Sequence, residues 1–196
     1  MKRKDPCMKK SYRISAAVHP CPVILIATYN EDGTVNVMNA AWGCPIDTDL
    51  VGVCLSPDHK TNENFHRTGA FTLSFATAST AAEADFFGLA SGKEIKDKLG
   101  RVGFHASPSS KANAPVIEEF PFAMVCLLDH EDPETGMVYG KIVEVLAEET
   151  CLNAEGKFDL DLAQAVCYDS FSHSYRRIGE KVAPAFASGK KFIQGE

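Results

Sequence analysis

The stretch Met38-Asn39-Ala40-Ala41-Trp42-Gly43-Cys44-Pro45, followed by the apolar run 50–55 and then Ser56-Pro57-Asp58-His59-Lys60-Thr61-Asn62-Glu63-Asn64, decides the reading of this chain. One strand ends in small residues beside the only tryptophan. A second strand ends in Ser-Pro and opens a short helix with Lys60 and Thr61 at its start. That junction is built like an anion site, because unpaired N–H groups at a helix N-terminus and the helix dipole both favour a phosphate. The dipole supplies about 0.3–1 kcal/mol at an exposed site. Lys60 adds a full charge, and the hydroxyls of Ser56 and Thr61 add neutral donors.

Upstream, Pro20-Cys21-Pro22 precedes Val23-Ile24-Leu25-Ile26-Ala27-Thr28-Tyr29, a β-branched run that predicts a buried strand. Asn30-Glu31-Asp32-Gly33 is a turn, and residues 34–40 return from it. In the returning strand Val35, Val37 and Asn39 face one way, Asn36 and Met38 the other. Downstream, residues 45–49 read as a loop and 50–55 as the third strand. Residues 61–67 form a short helix closed by Gly69, and 71–75 a fourth strand.

Ser79 is placed to cap a helical segment that runs through residues 83–89, and residues 93–99 add another helical turn or two. Residues 100–119 are rich in Ser, Pro, Gly and Ala and read as a long loop, expected to cover a site or a partner subunit. Residues 122–129 and 137–148 form a hairpin, Asn153-Ala154-Glu155-Gly156 is a turn, and the last forty residues lose apolar period. Antiparallel strands with helices inserted between them point to an α+β or barrel architecture. The βαβ rhythm and Gly-rich loop of a Rossmann domain are missing.

Composition narrows the function classes. A chain of 196 residues with 45% hydrophobic and 23% charged content reads as one globular domain. Its net charge of −6 argues against a nucleic-acid binder. Residues 1–14 carry Lys2, Arg3, Lys4, Lys9 and Lys10 and read as a basic, solvated tail, leaving 15–196 as the domain with a C-terminal extension. The run 23–27 is too short to cross a bilayer. Seven cysteines, with no Cys-x-x-Cys pair and no zinc spacing, fit a reduced, cytoplasmic protein without a metal site.

Taken in order, these pieces resemble the flavin reductase-like family of FMN-binding split barrels, of the flavoredoxin type. The matching pieces are residues 22–28, Asn36-Val37-Met38-Asn39-Ala40-Ala41-Trp42, Leu55-Ser56-Pro57 with Lys60-Thr61-Asn62-Glu63-Asn64-Phe65, residues 68–75, Asp85-Phe86-Phe87-Gly88, and Ser91-Gly92 leading to Asp97-Lys98. They span roughly residues 15–180. The resemblance implies a mainly β fold with inserted helices, a six-stranded Greek-key split β-barrel, assembled as a homodimer with FMN near the subunit interface. It implies that Asn39, Ala40, Ala41 and Trp42 line the isoalloxazine edge. By the same resemblance Ser56, His59, Lys60 and Thr61 hold the ribityl phosphate, while Ser91 and Lys98 close the site. Many relatives carry arginine where Lys60 stands, so phosphate orientation here leans more on the helix N–H groups.

The function so implied is an FMN-dependent oxidoreductase, passing electrons from NADH or NADPH through bound FMN to a flavin, a protein or a small acceptor. The alternative is a non-enzymatic FMN electron carrier without a nicotinamide site. The cofactor carries the chemistry, so no protein residue is assigned as a catalytic acid or base. Plainer roles stand beside these. Trp42 is also a candidate core tryptophan, Cys44 a spectator thiol, and Asp85 and Asp97 helix-surface charges. His59 and His66 share a helix face without a completing ligand. Tyr168 and Tyr175 cover either the flavin or the dimer seam.

Overall fold

The computed structural model describes residues 9–14 and 18–193. Most of the basic tail, residues 1–8 with Cys7, lies outside the described residues.

In chain order the strands are β1 (Cys21–Pro22), β2 (Ile24–Tyr29), β3 (Val35–Ala40), β4 (Gly43–Asp47), β5 (Leu50–Cys54), β6 (Ala70–Phe75), β7 (Ala106–Pro108) and β8 (Pro115–Ile117). The long hairpin β9 (Phe122–Asp132) and β10 (Met137–Ala147) follows, then β11 (Val166–Asp169) and β12 (Ser174–Arg177). Among the described residues three α-helices interrupt them: α1 (Lys60–Thr68), α2 (Ala81–Leu89) and α3 (Lys98–Val102). None is long and apolar enough to cross a membrane.

Seven strands form one antiparallel sheet in the order β3-β2-β6-β9-β10-β5-β4. Its two edge strands, β3 and β4, are joined by only Ala41 and Trp42. A sheet whose edges are neighbours in sequence must curl until they meet, and this one is a split barrel. It has one strand more than the six expected. The stretch read as a loop from residue 45 is in part β4, which pairs Cys44 with Gly52 and Pro45 with Val51. Pro45 has no N–H to give, which an edge strand tolerates.

Strand β2 runs without alternation because both its faces are covered. Ile24 and Ile26 point into the barrel with Val51, Val53, Phe71, Leu73 and Val138. Val23, Leu25 and Ala27 point outward, onto Phe87 of α2, Leu99 of α3, and Ile117 and Phe120. Each such large side chain taken from water is worth about 1.5–3 kcal/mol. Helix α1 plugs one end of the barrel with Phe65, 1% exposed, and stops at Gly69, whose φ of 68° provides the left-handed cap.

The long loop expected over residues 100–119 is not structureless. It holds the end of α3 and the β7–β8 hairpin, which packs on the outer barrel wall, where Thr72 Oγ1 donates to Pro115 O at 2.6 Å. The C-terminal strands β11 and β12 pair with each other and, through β11, with β1.

Candidate functional site

Strand β3 presents Asn36 and Asn39 toward the helices, α1 brings its N-terminus alongside, and α2 ends nearby in a turn at Ser91-Gly92. Between them lies a cavity of about 380 Å³, within the range of small-molecule sites.

Its floor is polar by construction. Asn36, 2% exposed, donates from Nδ2 to Thr61 Oγ1 at 2.8 Å. Asn36 Oδ1 lies against Gly92: a Cβ there would meet that oxygen at 2.1 Å and Lys60 Cβ at 3.2 Å. Only glycine lets the turn come so close. Gly88 does the same for α2, whose missing Cβ would sit 3.2 Å from that of Asn39.

At the start of α1, His59 occupies the N-cap position without a side-chain cap bond. The first-turn N–H groups of Lys60 and Thr61 have no acceptor within the helix. They are therefore free for an anion. Lys60 Nζ bonds Glu63 Oε1 at 2.5 Å, one turn along, so an incoming anion competes with that carboxylate.

Lys98 supplies the strongest electrostatic feature. It is the first residue of α3, after Asp97 caps the helix by accepting from Gly100 N at 2.8 Å. The side chain is 1% exposed, and its Nζ donates to Val37 O and to Phe87 O, the latter at 3.0 Å. Burial pulls its pKa down to about 8. No carboxylate pairs with it among the described residues. A buried ammonium on a cavity wall, held only by carbonyls, favours an anionic occupant.

Of the residues singled out in the sequence, Asn39, His59, Lys60, Thr61, Ser91 and Lys98 border this one cavity. Ala40, Ala41, Trp42 and Ser56 do not. Trp42, 49% exposed, sits at the β3–β4 corner, where its carbonyl accepts from Cys54 N at 2.8 Å. Ser56 is exposed, and its carbonyl accepts from His59 N. Sequence reasoning assigned no site role to Asn36, Phe87, Gly88 or Gly92, which also line the cavity. The usable signals were a polar residue between valines in β3, and glycines at and just past the end of α2. No residue of 100–119 reaches the cavity wall.

The remaining candidates lie elsewhere. His66 pairs with Glu131 at 2.9 Å on the far end of α1, and Asp97 is the cap just described. Cys44 is exposed on β4. Asp85 accepts from the Tyr175 hydroxyl at 2.8 Å. No three His, Cys, Asp or Glu side chains among the described residues are placed to hold a metal ion.

An open helix start and a buried lysine on one cavity of a split barrel are an arrangement that suits an anionic ligand. Residues 16–160 match the flavin reductase like domain family, and the chain belongs to that family. Among solved structures it is similar to the flavoredoxin of Desulfovibrio vulgaris (Miyazaki F), at 32% identity and a TM-score of 0.88, over 93% of this chain and all of that one. It is also similar to the flavoredoxin from Methanosarcina acetivorans, at 26% identity and a TM-score of 0.83, over 94% of this chain and all of the other. An FMN-binding domain of a flavin reductases-like enzyme from Shewanella baltica OS155 shares the fold, at 22% identity and a TM-score of 0.74, over 83% of this chain and 88% of that one.

Proposed function

We propose that this chain binds FMN in the β3–α1–α2 cavity and is an FMN-dependent oxidoreductase. It would pass electrons from NADH or NADPH to a flavin, a protein or a small acceptor. The observation that carries this is the meeting, on one cavity, of the open N-terminus of α1 and the buried Lys98 ammonium. Lys60, Thr61 and His59 are assigned to the phosphate, with Ser56 at the outer end of the same turn. Ser91 and Lys98 close the other wall. Asn39 is continuous in β3 with Ala40 and, beyond it, Ala41 and Trp42, so these remain assigned to the ring end. FMN supplies the hydride and electron chemistry when bound. The protein's part is to bind, orient and shield it.

A carrier without its own nicotinamide site is the second reading, favoured by the likeness to two flavoredoxins. The position of residues 100–119 away from the cavity wall supports the enzyme instead, since that segment leaves room beside the ring. We further propose a cytoplasmic homodimer. Leu127, Val143, Val145 and Leu146, on adjacent strands β9 and β10, are 38–53% exposed, and burying them against a second copy would remove them from water. All six cysteines among the described residues are free, as a reducing compartment requires.

The test is spectroscopic. Adding FMN to the purified protein should give a flavin absorption spectrum that stays with the protein through gel filtration, at the elution volume of a dimer. Anaerobic NADH or NADPH should then bleach it within seconds to minutes. A colourless protein after FMN loading refutes the flavin assignment, and a loaded protein that neither nucleotide bleaches leaves the carrier.

A further inference from the structure

The amide of Asn39 is oriented by its partners. Its Nδ2 lies 3.0 Å from Ala84 O and 3.4 Å from the Tyr175 hydroxyl. A backbone carbonyl only accepts, so nitrogen and not oxygen must face Ala84, and the flipped amide is excluded. The Tyr175 hydroxyl has one proton, and it goes to Asp85 Oδ1 at 2.8 Å. Tyr175 oxygen is therefore left to accept the second amide proton of Asn39. Burial and the bond to Asp85 push the Tyr175 pKa up to about 12, which keeps that proton in place.

Three links thus run in one direction, from Asn39 to Tyr175 to Asp85. Both donors of Asn39 are consumed by the protein, and what remains is one acceptor, Oδ1. A Cβ at Gly88 would sit 3.2 Å from that of Asn39, so only the bare glycine lets α2 close so tightly on this residue. Asn39 lines the cavity.

We infer that Asn39 is a dedicated hydrogen-bond acceptor on the cavity wall, held in that role by Tyr175 and Asp85, and that it reads a ring N–H of the ligand. Resting on the FMN assignment, that group is the imide N–H of the isoalloxazine, a donor in both oxidised and reduced flavin. Tyr175 is a positioning residue: it touches Asn39 and does not itself line the cavity. This gives strand β12 a purpose at the site although it lies 136 residues from Asn39 in sequence. A ligand edge carrying only carbonyls would face oxygen against oxygen at this point and be rejected.

The experiment compares FMN with FMN methylated on the imide nitrogen, both titrated by flavin fluorescence into wild type, Asn39→Leu, Tyr175→Phe and the double variant. A hydrogen bond of ordinary strength predicts that wild type prefers FMN by about fivefold to tenfold. Asn39→Leu should abolish that preference. Tyr175→Phe keeps the ring, frees one amide proton of Asn39, and should narrow the preference to about threefold or less. Because Tyr175 acts through Asn39, the double variant should be no worse than Asn39→Leu alone. A preference that survives Asn39→Leu, or that Tyr175→Phe leaves at the wild-type value, overturns the inference. Wild type binding neither flavin would sink the FMN assignment and this inference with it, whereas tight binding of both without preference sinks only the inference.

Discussion

Lys98 offers the sharpest test of how the site is charged. A lysine brought from 10.5 to about 8 by burial carries, while protonated, a folding penalty on the order of 3 kcal/mol at 1.36 kcal/mol per pH unit. The sign follows from proton binding. Between about pH 8 and 10.5 the unfolded chain holds a proton at Lys98 that the folded chain has shed, so stability rises with pH across that window. Below pH 8 both states are protonated and the penalty stays constant. Cys126 works in the opposite direction, because burial pushes its thiol up to about 12 and stability falls as pH climbs above 9. The raised Tyr175 hydroxyl adds to that fall above pH 10, so the wild-type curve alone mixes several effects, and the difference from Lys98→Met isolates one. At pH 7 the methionine variant avoids the penalty but leaves Val37 O and Phe87 O without their ammonium donor, at about 1 kcal/mol each. It should come out more stable than wild type by about 1 kcal/mol. That advantage should reverse as wild type gains about 3 kcal/mol by pH 10.5. Urea unfolding of the FMN-free proteins at several pH values between 7 and 10.5 measures this, and parallel curves for the two would show that Lys98 is not a buried cation. Saturating FMN should flatten the wild-type rise, since an anion beside the ammonium favours its protonated form.

Two further outcomes follow from the same cavity. Lys60→Ala should weaken FMN binding about tenfold, the worth of a charge-assisted contact to phosphate. Glu63→Gln should strengthen it severalfold by removing the carboxylate that holds Lys60 Nζ in the free protein; fluorescence titration reads both. Gly92→Ala drives a methyl into Asn36 Oδ1, and Asn36 cannot yield without releasing Thr61. The midpoint of thermal unfolding should fall by about 3–8 °C, and FMN affinity with it.

What the sequence made legible follows the range of the forces involved. The strand at 23–29, its turn and the returning strand were readable because β-branching, an Asp-Gly turn and side-chain alternation act within a few residues. Val37 does pack outward with Leu25, while Met38 packs into the barrel. The helix over residues 61–67 was readable from Gly69 and the preceding Ser-Pro. Strand β4 was not, since an edge strand of Gly-Cys-Pro-Ile-Asp, mostly exposed and with a proline at its centre, shows no alternation, and its partner Leu50–Cys54 becomes its neighbour only through the turn between them. Residues 100–119 misled for a related reason: the apolar partners of Ile117, Val23, Leu25 and Phe87 among them, are distant in sequence, and Pro115 is held through its carbonyl by Thr72.

The site divides in the same way. The anion end could be argued from residues 56–61 alone, because a helix N-terminus is a local object. Lys98 could not be: it stands among Lys96, Asp97 and Arg101, charges that promise a solvated face, although Leu99 beside it is buried. Burial there is decided by the cap at Asp97, which makes Lys98 the first residue of α3 and turns it onto β3 and the end of α2. The orientation of Asn39 lies further still from local reach, since it depends on a tyrosine brought back by β12 at the far end of the chain. Local chemistry marks where a ligand's charge goes. Which edge of the ligand is read depends on the closure of the fold, and that is why Asn39 and Tyr175 must be tested together.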